Sequence, residues 1–282
     1  MKTVLVIVFA AAASLFLNQG GAAAEENNVF DETDQLITKV QAKLDAGKRT
    51  QTDLADELKE FDALLDKHKN EKTDQVAGIL QKQAMLYLQV LNNPDKATDL
   101  IRRLKREFPT TQPGRDADQI LVMISKLADA KTIKATLVKG TELPDFDERD
   151  VNRKPLSLAS YRGKITLLDF WATWSKPSVA EVPQLLQTYE KYRSDGFEVI
   201  GISLDRDELR LSGFTAQHRI PWAQFFDGRG WNNALAVKYG VSSIPSNFLL
   251  GRNGKIIARD LHGQQLENAI ANALGKTPAL AP

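Results

Sequence analysis

The chain has 282 residues, with 37 Lys or Arg against 36 Asp or Glu, and no Cys. A formal net charge of +1 gives no electrostatic case for nucleic acid or an anionic membrane surface. Without sulfur the chain can form no disulfide and carry no cysteine-linked lipid. Its three histidines, His68, His218 and His262, stand apart at no metal-ligand spacing, so no metal and no other cofactor is expected.

Met1-Lys2-Thr3, the apolar run from Val4 to Leu17 and the small residues Ala22-Ala23-Ala24 before Glu25 have the layout of a secretory signal, with cleavage expected after Ala24. The apolar run is too short for a comfortable membrane span. The mature chain is therefore expected to be exported, to the periplasm or beyond, with no membrane insertion; an uncleaved N-terminal anchor is the alternative. Loss of Lys2 with the leader leaves 36 basic against 36 acidic residues.

Residues 25–134 read as an all-α domain. Leu54, Leu58, Phe61, Leu64 and Leu65 recur at helical spacing, as do Ile79, Ala84, Leu86, Leu88 and Leu91 more loosely. Gly47 ends a first helix, Asn92-Asn93-Pro94 starts another, and Pro109 to Gly114 separates the last two of about five. The stretch Pro94 to Leu127, carrying Ala97, Leu100, Leu104, Phe108, Ala117, Leu121 and Ile124, resembles a degenerate tetratricopeptide-type unit without a clean second copy. A plain helical bundle and a docking surface are equally consistent with it.

Residues 135–282 alternate strands with helices. An extended segment at Leu143-Pro144-Asp145-Phe146 precedes a strand over 165–170. A helix over 178–194, a strand over 197–204 and a helix over 207–218 follow. A short strand near 222–226, a helix near 233–239, two closing strands and a helix over 264–274 complete the pattern, which implies a mixed sheet covered on both faces. The aromatic group Trp222, Phe225, Phe226 and Trp231 is expected in the core. Gly228-Arg229-Gly230 is too short and out of context for a phosphate loop.

The chemistry-bearing stretch is Leu167-Leu168-Asp169-Phe170-Trp171-Ala172-Thr173-Trp174-Ser175-Lys176-Pro177-Ser178. A serine at the start of a helix gains the same dipole assistance as a cysteine, yet its hydroxyl is far too basic to ionise and cannot become half of a disulfide. A hydrolytic Ser175 would need a base within hydrogen-bond reach, and no histidine sits at a spacing that supplies one. Ser175 and Ser178 are therefore expected to act as polar caps, and no catalytic residue is assigned.

Leu143 to Phe146, the 167–178 stretch, Glu181-Val182-Pro183, Tyr239-Gly240-Val241-Ser242-Ser243-Ile244-Pro245 and Asn253-Gly254-Lys255-Ile256 together resemble the TlpA/ResA branch of exported thioredoxin-like thiol-disulfide oxidoreductases. The resemblance covers about 139–275. It implies an α/β thioredoxin-like domain with a mixed central sheet flanked by helices, and a cis peptide before Pro245 beside the active-site turn. It places Ser175 and Ser178 at the nucleophilic and resolving cysteine positions. Asp169 and Glu181 match the carboxylates that move protons for those sulfurs; with no sulfur to serve, they are expected to be half-buried acids held by caps or water. The usual Leu-Ile-Asp near the last hairpin is here Leu249-Leu250-Gly251.

Trp171 is expected in the core and Trp174 at the mouth of the turn. The family holds extended peptides against the backbone next to the cis-proline, by strand addition that needs no sulfur. Two functions follow. The first is a non-redox module binding an extended peptide or protein partner at Trp174, Ser175, Ile244 and Pro245. The second is a thiol-disulfide oxidoreductase whose two active-site cysteines are replaced by serine in this sequence.

Overall fold

The structure, a computed structural model, describes residues 22–276. The apolar run 4–17, read above as part of a leader, lies outside the described residues. The chain divides into two compact units between Ala128 and Asp129, a break that falls within a helix.

The first unit is built from α1 (Ala22–Asp45), α2 (Ala55–Lys67), α3 (Asp74–Gln89), α4 (Pro94–Glu107) and the first part of α5 (Gln112–Thr136). Local chemistry sets the boundaries. Thr73 accepts a bond from Val76 N at the start of α3, and Asn93 accepts one from Lys96 N ahead of Pro94 at the start of α4. The apolar residues at helical spacing then face inward. Leu54, Leu58, Phe61, Leu64 and Leu65 are all buried, packed with Leu36 and Val40 of α1, Ile79, Ala84 and Leu86 of α3, and Leu100 and Leu104 of α4. Gly114 opens α5 against the preceding chain, where a Cβ would meet the Phe108 carbonyl oxygen at 1.8 Å.

The second unit holds a five-stranded sheet in the order β5-β4-β3-β6-β7. Its strands are β3 (Ile165–Trp171), β4 (Phe197–Ser203), β5 (Ala223–Phe226), β6 (Ser246–Leu250) and β7 (Ile256–Arg259). A hairpin of β1 (Asp147–Arg149) and β2 (Pro155–Ser157), absent from the expectation, precedes them. β3, β4 and β5 are parallel, and β6 and β7 are antiparallel to their neighbours. The period of two along β3 sorts its side chains. Ile165 and Leu167 pack with α6 (Lys176–Tyr192) and α9 (Gly263–Ala273) through Leu185, Tyr189, Leu266 and Ile270. Leu168 and Phe170 pack on the other face with Leu143, Phe146, Phe248, Tyr239 and the Leu235 of α8 (Ala234–Lys238). The sheet is thus mixed and covered on both faces, as the strand and helix pattern implied.

Two relations place the site. Trp171 pairs with Ser203 and Ser203 with Phe226, so the carboxyl ends of three parallel strands share one edge of the sheet. β6 runs the other way, and Phe170 opposite Ser246 brings Pro245 to that same edge.

Candidate functional site

The turn after β3 enters α6 two residues earlier than the periodicity indicated, because Ser175 is the N-cap and Pro177 fits the first helical turn. Ser175 Oγ accepts the Ser178 N–H at 3.4 Å and the Ser178 hydroxyl at 2.8 Å. Both serines are buried. The two family redox positions therefore satisfy each other by hydrogen bonding, and no base lies within hydrogen-bond reach of Ser175 among the described residues.

A buried carboxylate fixes the turn from the neighbouring strand. Asp205, just past β4, accepts the Thr173 N–H at 3.0 Å, the Thr173 hydroxyl at 2.6 Å and the Ser203 hydroxyl at 2.8 Å. Asn233 Nδ2 donates to the Ser203 carbonyl from the start of α8. Trp174 Nε1 donates to the Leu204 carbonyl at 3.3 Å, which leaves the indole face outward with 44% of the residue exposed. Sequence reasoning missed Asp205, whose only signal is its position after a buried strand.

Trp231 corrects the expectation that its aromatic group is core. Trp222 and Phe225 are buried, but Trp231 is 45% exposed and meets Trp174 edge to face, ring centroids 6.0 Å apart. It sits in a short 3-10 turn (Gly230–Asn232), and positive φ at Gly230 turns the chain outward there. Trp171, by contrast, is 3% exposed and gives its Nε1–H to Gln224 Oε1 at 3.0 Å.

Asp169 shares the face of β3 that packs on α6 and α9. It is half-buried, its carboxylate has no hydrogen-bond partner among the described residues, and burial pushes that carboxyl up to about 7, with the Glu181 charge adding to the shift. Glu181 in turn lies 2.8 Å from Nδ1 of His262, the residue preceding α9. The contact is at ion-pair distance without an in-line N–H···O bond. Glu181 thus has an imidazole beside it, a neighbour that the sequence spacing did not indicate. Packing of α6 against α9 brings these distant positions together, which no local motif records.

Ile244 and Pro245 are half-buried, and the peptide between them is cis. The backbone N–H and C=O groups of Ser242, Ser243 and Ile244 make no hydrogen bond among the described residues. Trp174 and Ser175 after β3, and Ile244 and Pro245 before β6, therefore lie along one edge beside unpaired main chain. Among the described residues no group of three His, Asp or Glu could hold a metal, and no helix is long and apolar enough to cross a membrane.

This turn-to-helix arrangement, with a cis-proline leading into the antiparallel strand beside it, defines a thioredoxin-like domain. Residues 139–259 match the AhpC/TSA family. The thiol-disulfide oxidoreductase ResA of Bacillus thuringiensis subsp. konkukian is 31% identical over 137 residues, 49% of this chain and 77% of the relative. ResA of Bacillus subtilis is 26% identical over 124 residues, 44% of this chain and 68% of the relative. The thioredoxin domain of a thiol-disulfide oxidoreductase from Bacteroides vulgatus is 28% identical, covering 49% of this chain and 99% of that one, with a TM-score of 0.46. The chain belongs to the thioredoxin-like thiol-disulfide oxidoreductase family of ResA, with serine at both positions of the redox pair.

Proposed function

We propose that this is an exported, non-redox binding module whose thioredoxin-like domain holds an extended segment of a peptide or protein partner against Trp174, Ser175, Ile244 and Pro245. The observation that carries the reading is the closed Ser175–Ser178 hydrogen bond at 2.8 Å where the family keeps sulfur. The redox step is lost, while the features that hold a peptide do not depend on it. Those features are an exposed indole at Trp174 and unpaired main chain at Ser242 to Ile244, which can add a strand.

A second reading, a thiol-disulfide oxidoreductase with both cysteines replaced by serine, draws on Asp169. A carboxyl held near 7 beside Glu181 is poised for proton transfer at neutral pH, as a sulfur pair would require. Without a thiol, the purified chain should reduce insulin no faster than the reductant alone on either reading, so binding is what separates them. Titration with an extended peptide should move the amide resonances of Ser175, Ser242, Ser243 and Ile244; shifts confined to 25–128 would move recognition to the helical unit. Export is tested by intact mass, which should show Glu25 at the N-terminus, whereas a membrane-bound species beginning at Met1 would refute it.

A further inference from the structure

The side chains around the Trp174–Trp231 pair divide by charge in how they are used. The nearby acids have partners within the protein, the exposed Asp207 and Glu208 included. Asp205 is buried and accepts three bonds from Thr173 and Ser203. Asp207 caps α7 (Glu208–Gln217), accepting from Leu209 N and Arg210 N, and Asp227 accepts from Arg229 N, Asn233 Nδ2 and Ala234 N. Glu208 stands 3.9 Å from Arg153.

The bases differ. Lys176, Arg206 and Arg229 are exposed, and none has a side-chain hydrogen bond or ion pair among the described residues. Lys176 follows Ser175 on the first turn of α6. Arg206 lies against Gly230, the residue before Trp231. Its Nε would be 2.9 Å from a Cβ at Gly230, so glycine there leaves room for the arginine side chain. Arg229 stands two residues before Trp231, on the wall of a cavity of about 550 Å³. That cavity also carries Asp147 and Glu148, so its charge is mixed; the one-sided surface is the tryptophan pair with its three cations.

We propose that this surface selects an acidic polypeptide segment, one that lays an apolar side chain on Trp174 and Trp231 and presents carboxylates to Arg206 and Arg229. The inference rests on the peptide-binding reading of the same edge. A partner here gains by bringing acceptors, because three exposed cations lack a partner among the described residues while the neighbouring acids each have one. A guanidinium matches a carboxylate with two parallel bonds and stays charged at any physiological pH. Tryptophan and arginine are also the residue types that most often dominate binding energy. A chain of balanced net charge gives no general electrostatic case for a polyanion.

The test pans the full chain against a phage-displayed library of random decapeptides and measures the selected peptides by fluorescence anisotropy. They should carry Asp or Glu close to an aromatic or branched residue. Replacing those acids by Asn or Gln, or changing the protein by Arg206→Gln together with Arg229→Gln, should weaken binding roughly tenfold. Either change should also flatten the salt dependence between about 50 and 300 mM. Neither arginine has a side-chain partner among the described residues, so the double variant should melt with the parent. Trp231→Ala should weaken acidic and neutral peptides alike.

Selection of neutral or basic peptides that Trp174→Ala weakens and the arginine variant leaves unchanged would overturn the acidic preference while peptide binding stands. Failure to select any peptide, or selection of peptides indifferent to all these substitutions, would overturn both readings. Heparin bound as tightly and with the same arginine dependence would reassign the surface to polyanions. A concentration-dependent dimer abolished by the same substitutions would assign it to a second copy of the chain.

Discussion

Gly201 and Gln224 face each other across β4 and β5 at a spacing that leaves no room for a side chain on the first: a Cβ at Gly201 would lie 2.1 Å from Gln224 Oε1. That space is what lets the buried amide reach Trp171 Nε1 at 3.0 Å, beneath the turn. Gly201→Ala should displace Gln224 and strand the buried indole N–H. We expect a loss of about 2 to 4 kcal/mol in urea denaturation. Gln224→Ala in the same chain should recover part of that loss, since it removes the clash, so the pair should be non-additive. Strict additivity would show that the strands simply move apart.

Asp169 should make stability fall as pH rises. Its folded pKa of about 7 lies above the roughly 3.9 of an unfolded aspartate, so between those values the native chain holds a proton that the unfolded chain has lost. Stability is thus greatest near the lower value and declines through the upper one, by at most about 4 kcal/mol for a shift of this size. In Asp169→Asn this contribution to the slope should vanish. Denaturation of both proteins across this window checks the sign, and parallel curves would place the Asp169 pKa at its ordinary value.

Removal of the Asp205 carboxylate should loosen the turn from below. Asp205→Ala leaves Thr173 N–H and two hydroxyls without their acceptor, and buried donors so orphaned cost about 3 kcal/mol together. Asp205→Asn keeps one acceptor oxygen and should lose about half as much. Trp174, anchored by the adjacent Leu204 carbonyl, should report the change as a red-shifted emission. Unaltered emission with reduced stability would separate the carboxylate from the geometry of the indole.

The serine pair should accept sulfur. With Oγ atoms 2.8 Å apart on the N-cap and first turn of α6, Ser175→Cys together with Ser178→Cys should oxidise to an internal disulfide, whose sulfurs sit about 2.05 Å apart. Mass and free-thiol titration read the outcome. A folded double variant that keeps both thiols under mild oxidant would show a turn unsuited to the bond.

The thioredoxin-like unit was legible because its signals are local and repeated: the apolar run of β3, the Trp-Ser-Lys-Pro-Ser turn and Ile244-Pro245 each constrain a few neighbouring residues. What escaped is non-local. His262 reaches Glu181 only because α6 and α9 pack on the same face of the sheet. The short hairpin β1–β2 carries too little apolar periodicity over three-residue strands to stand out. Aromatic density points Trp231 to the core; its exposed polar neighbours Arg229 and Asn232 are the better signal for a residue on the surface.

The mutual hydrogen bond of Ser175 and Ser178 also removes a variable. A dithiol has two covalent states, and the compartment's reduction potential sets their ratio. Here the turn has one. A segment lying against Trp174 would meet the same surface in oxidising and reducing surroundings, so its occupancy would follow partner concentration and be blind to redox poise. The family's scaffold would then serve as a receptor whose affinity holds steady while the thiols around it change state.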